Sequence, residues 1–290
     1  MRPIFLISKC FGTYNYSHSI IYKNLLILYT ILIILLVTWS SVYSFIFIDV
    51  ADAEWYSNLV FFYIEKSHIF FLYISFITTI CFHLFKQKNL SKELIFIDNI
   101  DKYLKERNFH FIYYILNHVW VGFFLILSIF VLLIIDYLYY TNTHTYYATL
   151  QLFSTYVPFL VLNSSIAQWY SIIKLIGDHF IFITRSALST TDHRRLSELI
   201  RVHARLCTIT RRINNLFGPN LFVIITYFYI MITEYIFLTM KTLIVFGKHR
   251  NNYNYSVVLA IFVIGSFLTL YAIVNSCNRT SSEVSLNYNL

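Results

Sequence analysis

The chain has 290 residues, of which 58% are hydrophobic and only 12% charged, with 6 Gly, 3 Pro and a formal net charge of +8. That balance excludes a soluble domain, which needs far more polar surface, and defines an integral membrane protein. The excess of Lys and Arg elsewhere marks a nucleic-acid partner, but here it sorts into alternate loops between apolar stretches, so no nucleic acid is implied.

Crossing about 30 Å of hydrocarbon takes roughly 20 apolar residues. Six stretches approach or exceed that length. Arg2, Lys9 and Lys23 precede the first, about 25–48. This stretch ends in Phe45, Ile46, Phe47 and Ile48 rather than small residues, so it reads as a retained anchor and not a cleaved signal peptide. The second span, about 67–85, is the shortest. A segment at about 86–111 follows, with basic residues from Lys86 to Arg107 and an apolar helical repeat at Leu90, Leu94, Ile97 and Leu104. The third span, about 112–140, carries Asp136, and the fourth, about 148–174, contains Pro158, which predicts a kink.

Between the fourth and fifth spans, at about 178–218, Leu196, Leu199, His203, Leu206, Thr210, Ile213 and Phe217 recur at alternating steps of three and four. Arg194, Arg195, Arg201, Arg205, Arg211 and Arg212 lie off that stripe, which predicts a helix with a narrow packing seam. Its surfaces suit packing within the bundle, which is favoured, or against sister subunits or the headgroup layer. Gly218 and Pro219 predict a junction there, with Pro in a first helical turn and Gly at the bend before it. The fifth span, about 220–246, holds Glu234, and the sixth is about 256–276.

Eighteen of the 22 Lys and Arg fall before the first span and after the second, fourth and sixth. Lys66, Lys241, Lys248 and Arg250 alone lie on the other side. Because cytoplasmic loops retain Lys and Arg, both termini are expected inside. The expected fold is therefore all-α: a single polytopic transmembrane helical bundle over residues 1–290 with helical cytoplasmic extensions. The outer loops, 49–66, 141–147 and 247–255, are too short for a folded outer domain, so a ligand from outside must bind between the outer halves of the helices.

Cys10, Cys81, Cys207 and Cys277 map to the cytoplasmic side, where free thiols are expected. The 25 Tyr and 28 Phe accompany an overuse of Ile, Asn and Lys that fits an AT-rich genome better than a stacking surface. Enzyme signals are poor. Asp192, His193 and Arg194 adjoin but lack the Cys of an acyltransferase, and the His and Cys form no HExxH pair, metal cluster or glycine-rich phosphate loop, so neither metal nor cofactor is expected.

Asp136 and Glu234 stand out because an ionisable group at bilayer depth costs at least about 2.5 kcal/mol and normally faces a cavity or a partner. Asp136 has a second reading, reaching water at the interface among Tyr137, Tyr139 and Tyr140. His68, Tyr73, Gln151, Thr155, Tyr156 and Tyr235 share the outer halves and complete the candidate ligand site.

The seam and the span it feeds resemble the insect gustatory receptor family, through Leu199, His203, Leu206, Ile213, Asn214, Phe217 and the run from Leu221 to Tyr235. Ala272 to Cys277 with Glu283, and Pro3 to Phe11 with Gly12, are similar to that family's carboxyl-side stretch and amino terminus. The resemblance implies a tetrameric, tastant-gated cation channel of the plasma membrane, assembled from the same or other gustatory receptor subunits. It assigns the cytoplasmic helices to subunit anchoring, with Leu196, Leu199, His203, Leu206, Ile213 and Phe217 as the packing residues. The family's seventh span carries Thr-Tyr, five apolar residues and Gln-Phe and lines the pore, whereas the sequence given stops at Leu290, before such a span is expected. Thr145, Tyr146, Gln151 and Phe153 have the wrong spacing for it. The expectation is a chain that keeps the pocket but lacks the pore helix; a non-conducting regulatory or transporter-like protein is the alternative.

Overall fold

The computed structural model describes residues 20–47, 59–105, 152–246, 260 and 263–278. Among them all regular structure is helical and there is no strand. Helix α1 is Ile20–Phe47, α2 is Leu59–Lys105, α3 is Val157–Leu188, α4 is His193–Phe246 and α5 is Val263–Asn278. A π-helical turn, Leu152–Tyr156, leads into α3. The first four helices are long and apolar enough to cross a membrane, over Asn24–Ile46, Lys66–Lys86, Phe153–Leu188 and His193–Phe237. The third span, about 112–140, lies outside the described residues.

At 1.5 Å per residue, the 47 residues of α2 and the 54 of α4 reach ~70 Å and ~80 Å, well beyond a bilayer core. Each joins a predicted span and a predicted extension in one continuous helix. The predicted junction at Gly218 and Pro219 is therefore corrected: α4 passes through Pro219 without a break. Both residues are exposed, so the ring meets no neighbouring helix; the turn before it must relax, and the carbonyl of Asn215, itself an exposed residue, gives up its helical N–H partner. Pro158 lies in the first turn of α3, directly after the widened π turn and the already helical Tyr156, so the irregularity expected at this proline takes the form of a π turn running into the helix.

Between α3 and α4 the chain reverses over residues 189–192. The Ser189 N–H closes α3 on the Arg185 carbonyl at 3.2 Å, and the Arg194 N–H donates to Asp192 Oδ1 at 2.9 Å, making Asp192 the amino-terminal cap of α4. The Asp192, His193 and Arg194 run is thus a helix start. Pairs such as Thr79 with Asn220 and Glu93 with Arg212 run α2 antiparallel to α4, and Thr38 with Tyr73 and Phe45 with Lys66 run α1 antiparallel to α2.

Helix α3 is central, with an unbroken buried run over residues 161–169. Its small polar residues, among them Asn163, Ser164, Ser165 and Ser171, let neighbouring backbones approach closely, which is how helices associate in lipid. On α1, Thr30, Ser40, Ser41 and Ser44 are buried while Leu25, Leu28, Leu32, Leu35, Trp39 and Ile46 are exposed. Polar groups inward and large apolar groups outward is the reverse of a water-soluble helix, and it matches a helix solvated by acyl chains. One core joins α2, α3, α4 and α5 through residues such as Leu90, Trp169, Phe217 and Ile273; a smaller one joins α1, α2 and α3 through Val37, Phe76, Ile80 and Val161.

In the arginine-rich half of α4 the seam packs within the bundle, the arrangement its sequence favoured. Leu199, Leu206, Ile213 and Phe217 are buried within this one chain, in a core that includes Leu90 and Ile97 of α2 and Phe180 and Ile183 of α3. Hydrophobic side chains covered by their own bundle are not available to a neighbour. Leu196 and His203 are half-buried, and the His203 ring lies edge-on to Phe180 at 5.1 Å. Arg194, Arg195, Arg201, Arg205, Arg211 and Arg212 are all among the exposed residues of this half, together with Ile200.

Candidate functional site

At the charge-poor end of the bundle, α2 begins its apolar stretch with Lys66, Ser67 and His68, and α4 brings Tyr227, Glu234 and Tyr235 alongside. Residues 227 and 234 are two helical turns apart, and 235 follows, so α4 presents all three to one neighbour. Glu234 and His68 are 8% and 9% exposed, which is deep burial for ionisable groups.

The Ser67 hydroxyl lies 2.7 Å from Glu234 Oε1 and 2.7 Å from the Ile64 carbonyl. Its single proton serves one acceptor at a time, and the charge-assisted bond to the carboxylate is the stronger. His68 Nδ1 comes within 3.2 Å of Glu234 Oε2. The approach is off the line of a hydrogen bond, so Oε2 and both imidazole nitrogens remain without an aligned partner. The imidazole stacks on Tyr235 at 5.5 Å between centroids and tilts against Tyr227 at 5.8 Å. The Tyr227 hydroxyl turns back to Met231 Sδ at 3.4 Å, leaving its ring as the surface beside His68. Lys66 directs its ammonium to the Phe45 carbonyl and lies 4.7 Å above that ring, a cation at the carboxyl end of α1.

The structure thus brings together His68, Glu234 and Tyr235 of the sequence-derived site. Tyr73 goes elsewhere, its hydroxyl 3.0 Å from Thr38 Oγ1 on α1. Thr155 and Tyr156 lie in the π turn, where the Tyr156 hydroxyl is buried without a partner. Asp136 and Gln151 lie outside the described residues. Lys66, Ser67 and Tyr227 were missed by sequence reasoning; the signal for Ser67 was its adjacency to His68, and for Tyr227 its spacing of seven from Glu234.

A second polar cluster, also unforeseen, lies ~21 Å along α4, fourteen residues from Glu234. Thr79 Oγ1 donates to Asn220 Oδ1 at 2.9 Å, Asn220 Nδ2 donates to Ser165 Oγ at 2.9 Å, and His83 Nε2 is 3.0 Å from the same hydroxyl. All four residues are essentially inaccessible. They tie α2, α3 and α4 at one level, one residue past Pro219. Among the described residues no group of His, Cys, Asp and Glu is placed to hold a metal ion.

Long helices with polar groups turned inward and apolar faces turned outward, enclosing a buried carboxylate, define a helical membrane protein with an internal polar site. A family model described as 7tm Chemosensory receptor matches residues 1–285, and the chain belongs to that family. No curated protein matches the sequence. The family is one of receptors, not of enzymes.

Proposed function

We propose that this chain is a taste receptor subunit of a tastant-gated cation channel in the plasma membrane, with both chain ends of residues 1–290 in the cytoplasm and a small-molecule site between the outer halves of its helices. The observation that carries the reading is the meeting of Ser67 and His68 with Glu234 across two helices, inside their apolar stretches, with acceptor atoms still unfilled. A buried, incompletely satisfied carboxylate costs several kcal/mol in apolar surroundings, and a polar ligand removes that cost by supplying the missing donors.

Gating follows if the ligand binds one arrangement of α2 and α4 better than another, since a ligand shifts an equilibrium only by its differential affinity. In this reading the subunit assembles as a homo- or heterotetramer with other gustatory receptor subunits, and it has no catalytic role. The test is cation current in cells that express the full chain together with a conducting gustatory receptor subunit, screened against sugars, bitter compounds and amines. A current that requires this chain supports the reading. Its absence for every compound, with surface expression verified, would overturn it.

A further inference from the structure

We infer that the ligand held at Glu234 is a small organic cation, an amine carrying an apolar group. This rests on the receptor reading above and deepens it by naming the ligand class. The inference comes from the electronic character of every group around the site. Glu234 Oε2 is an acceptor without an aligned donor in a side chain that is nine-tenths buried. The His68 Nδ1 edge lies 3.2 Å from that carboxylate and both imidazole nitrogens are buried without an aligned partner, so a neutral imidazole offers the site one further nitrogen acceptor. Beside the imidazole lie the rings of Tyr227 and Tyr235, whose faces carry partial negative charge.

Two open acceptors flanked by aromatic faces are complementary to a group that has several donors, no acceptor and a positive charge. An ammonium fits: one N–H serves Oε2, a second serves the acceptor nitrogen of the imidazole, and its attached methylenes lie against the tyrosine rings. A carboxylate ligand offers only acceptors and meets the charge of Glu234. An uncharged alcohol supplies one donor and leaves that charge unpaired. Lys66, the cation next to Ser67 on α2, turns its ammonium to the Phe45 carbonyl and ring of α1.

The experiment compares three compounds with one skeleton, phenylethylamine, phenylethanol and phenylacetate, by equilibrium binding to the purified full chain in lipid nanodiscs at pH 7. The amine is expected to bind about ten-fold or more tightly than the alcohol, and the carboxylate most weakly. Glu234→Gln keeps the shape, removes the charge and is expected to abolish the preference, while Tyr235→Leu weakens the amine more than the alcohol. Equal or tighter binding of alcohol or carboxylate overturns the inference, as does no binding of any compound or a preference that survives Glu234→Gln. Alcohol binding that depends on Glu234 would remove the ligand class yet leave the receptor reading intact, whereas that reading falls separately, on absence of tastant-evoked current.

Discussion

Asn220 shows what one residue does inside this bundle. Its amide accepts from Thr79 and donates to Ser165, so a single side chain joins three helices. Asn220→Leu leaves Thr79 without its interhelical acceptor and Ser165 without its donor. The expected cost is about 1–2 kcal/mol, read as a lower midpoint in thermal unfolding of the purified protein, with Thr79→Val costing less because one bond is lost. Equal midpoints for Asn220→Leu and the wild type would remove the network from the account. Glu234 was legible in the sequence because a charge interrupts an apolar run, and His68 because it is titratable at the same depth. Thr79 and Ser165 were not. Hydroxyls in helices ordinarily bond the carbonyl one turn back, as Thr30, Ser171, Thr184 and Thr226 do here, so a Ser or Thr in a span does not announce a neighbour on another helix.

At the scale of elements, the three-four repeat from Leu196 to Phe217 predicted a helix and a seam, and both are present, but periodicity states that a face is covered without stating by what. In the structure α2 and α3 cover it. Leu206 is fully buried in this core, so Leu206→Ala is expected to cost about 2–5 kcal/mol. The loss should be independent of protein concentration; a loss that grows on dilution would return the seam to subunit contacts. Helix ends were less legible than helices. Pro219 has the chemistry of a first turn, yet a helix tolerates it where the ring points away from the bundle and packing on either side holds the axis. The pair between Arg212 and Glu93, at 3.3 Å, joins the extensions of α4 and α2. Because the Arg212 side chain is 59% exposed, a double-mutant cycle with Arg212→Met and Glu93→Gln should give a coupling below ~1 kcal/mol that weakens with salt.

For the whole molecule, charge distribution and structure divide the bundle into two ends with different tasks. The basic end carries the long extensions of α2 and α4, with apolar seams inward and arginines exposed. The charge-poor end carries the buried carboxylate, its imidazole and the tyrosine rings. Composition and loop charge made the membrane class and all-helical fold readable, since both follow from what the bilayer demands of every span. Which polar groups meet is set by helix rotation and depth, which one sequence encodes only through packing. The central claim is that the cluster around Glu234 faces the outside and holds the ligand. Ser67, half-buried beside Glu234, is the place to measure it: react Ser67→Cys in intact cells with a membrane-impermeant maleimide, with and without a tastant that evokes current. The account predicts labelling from outside that the tastant slows; labelling only after permeabilisation, or at a rate the tastant does not change, would contradict it.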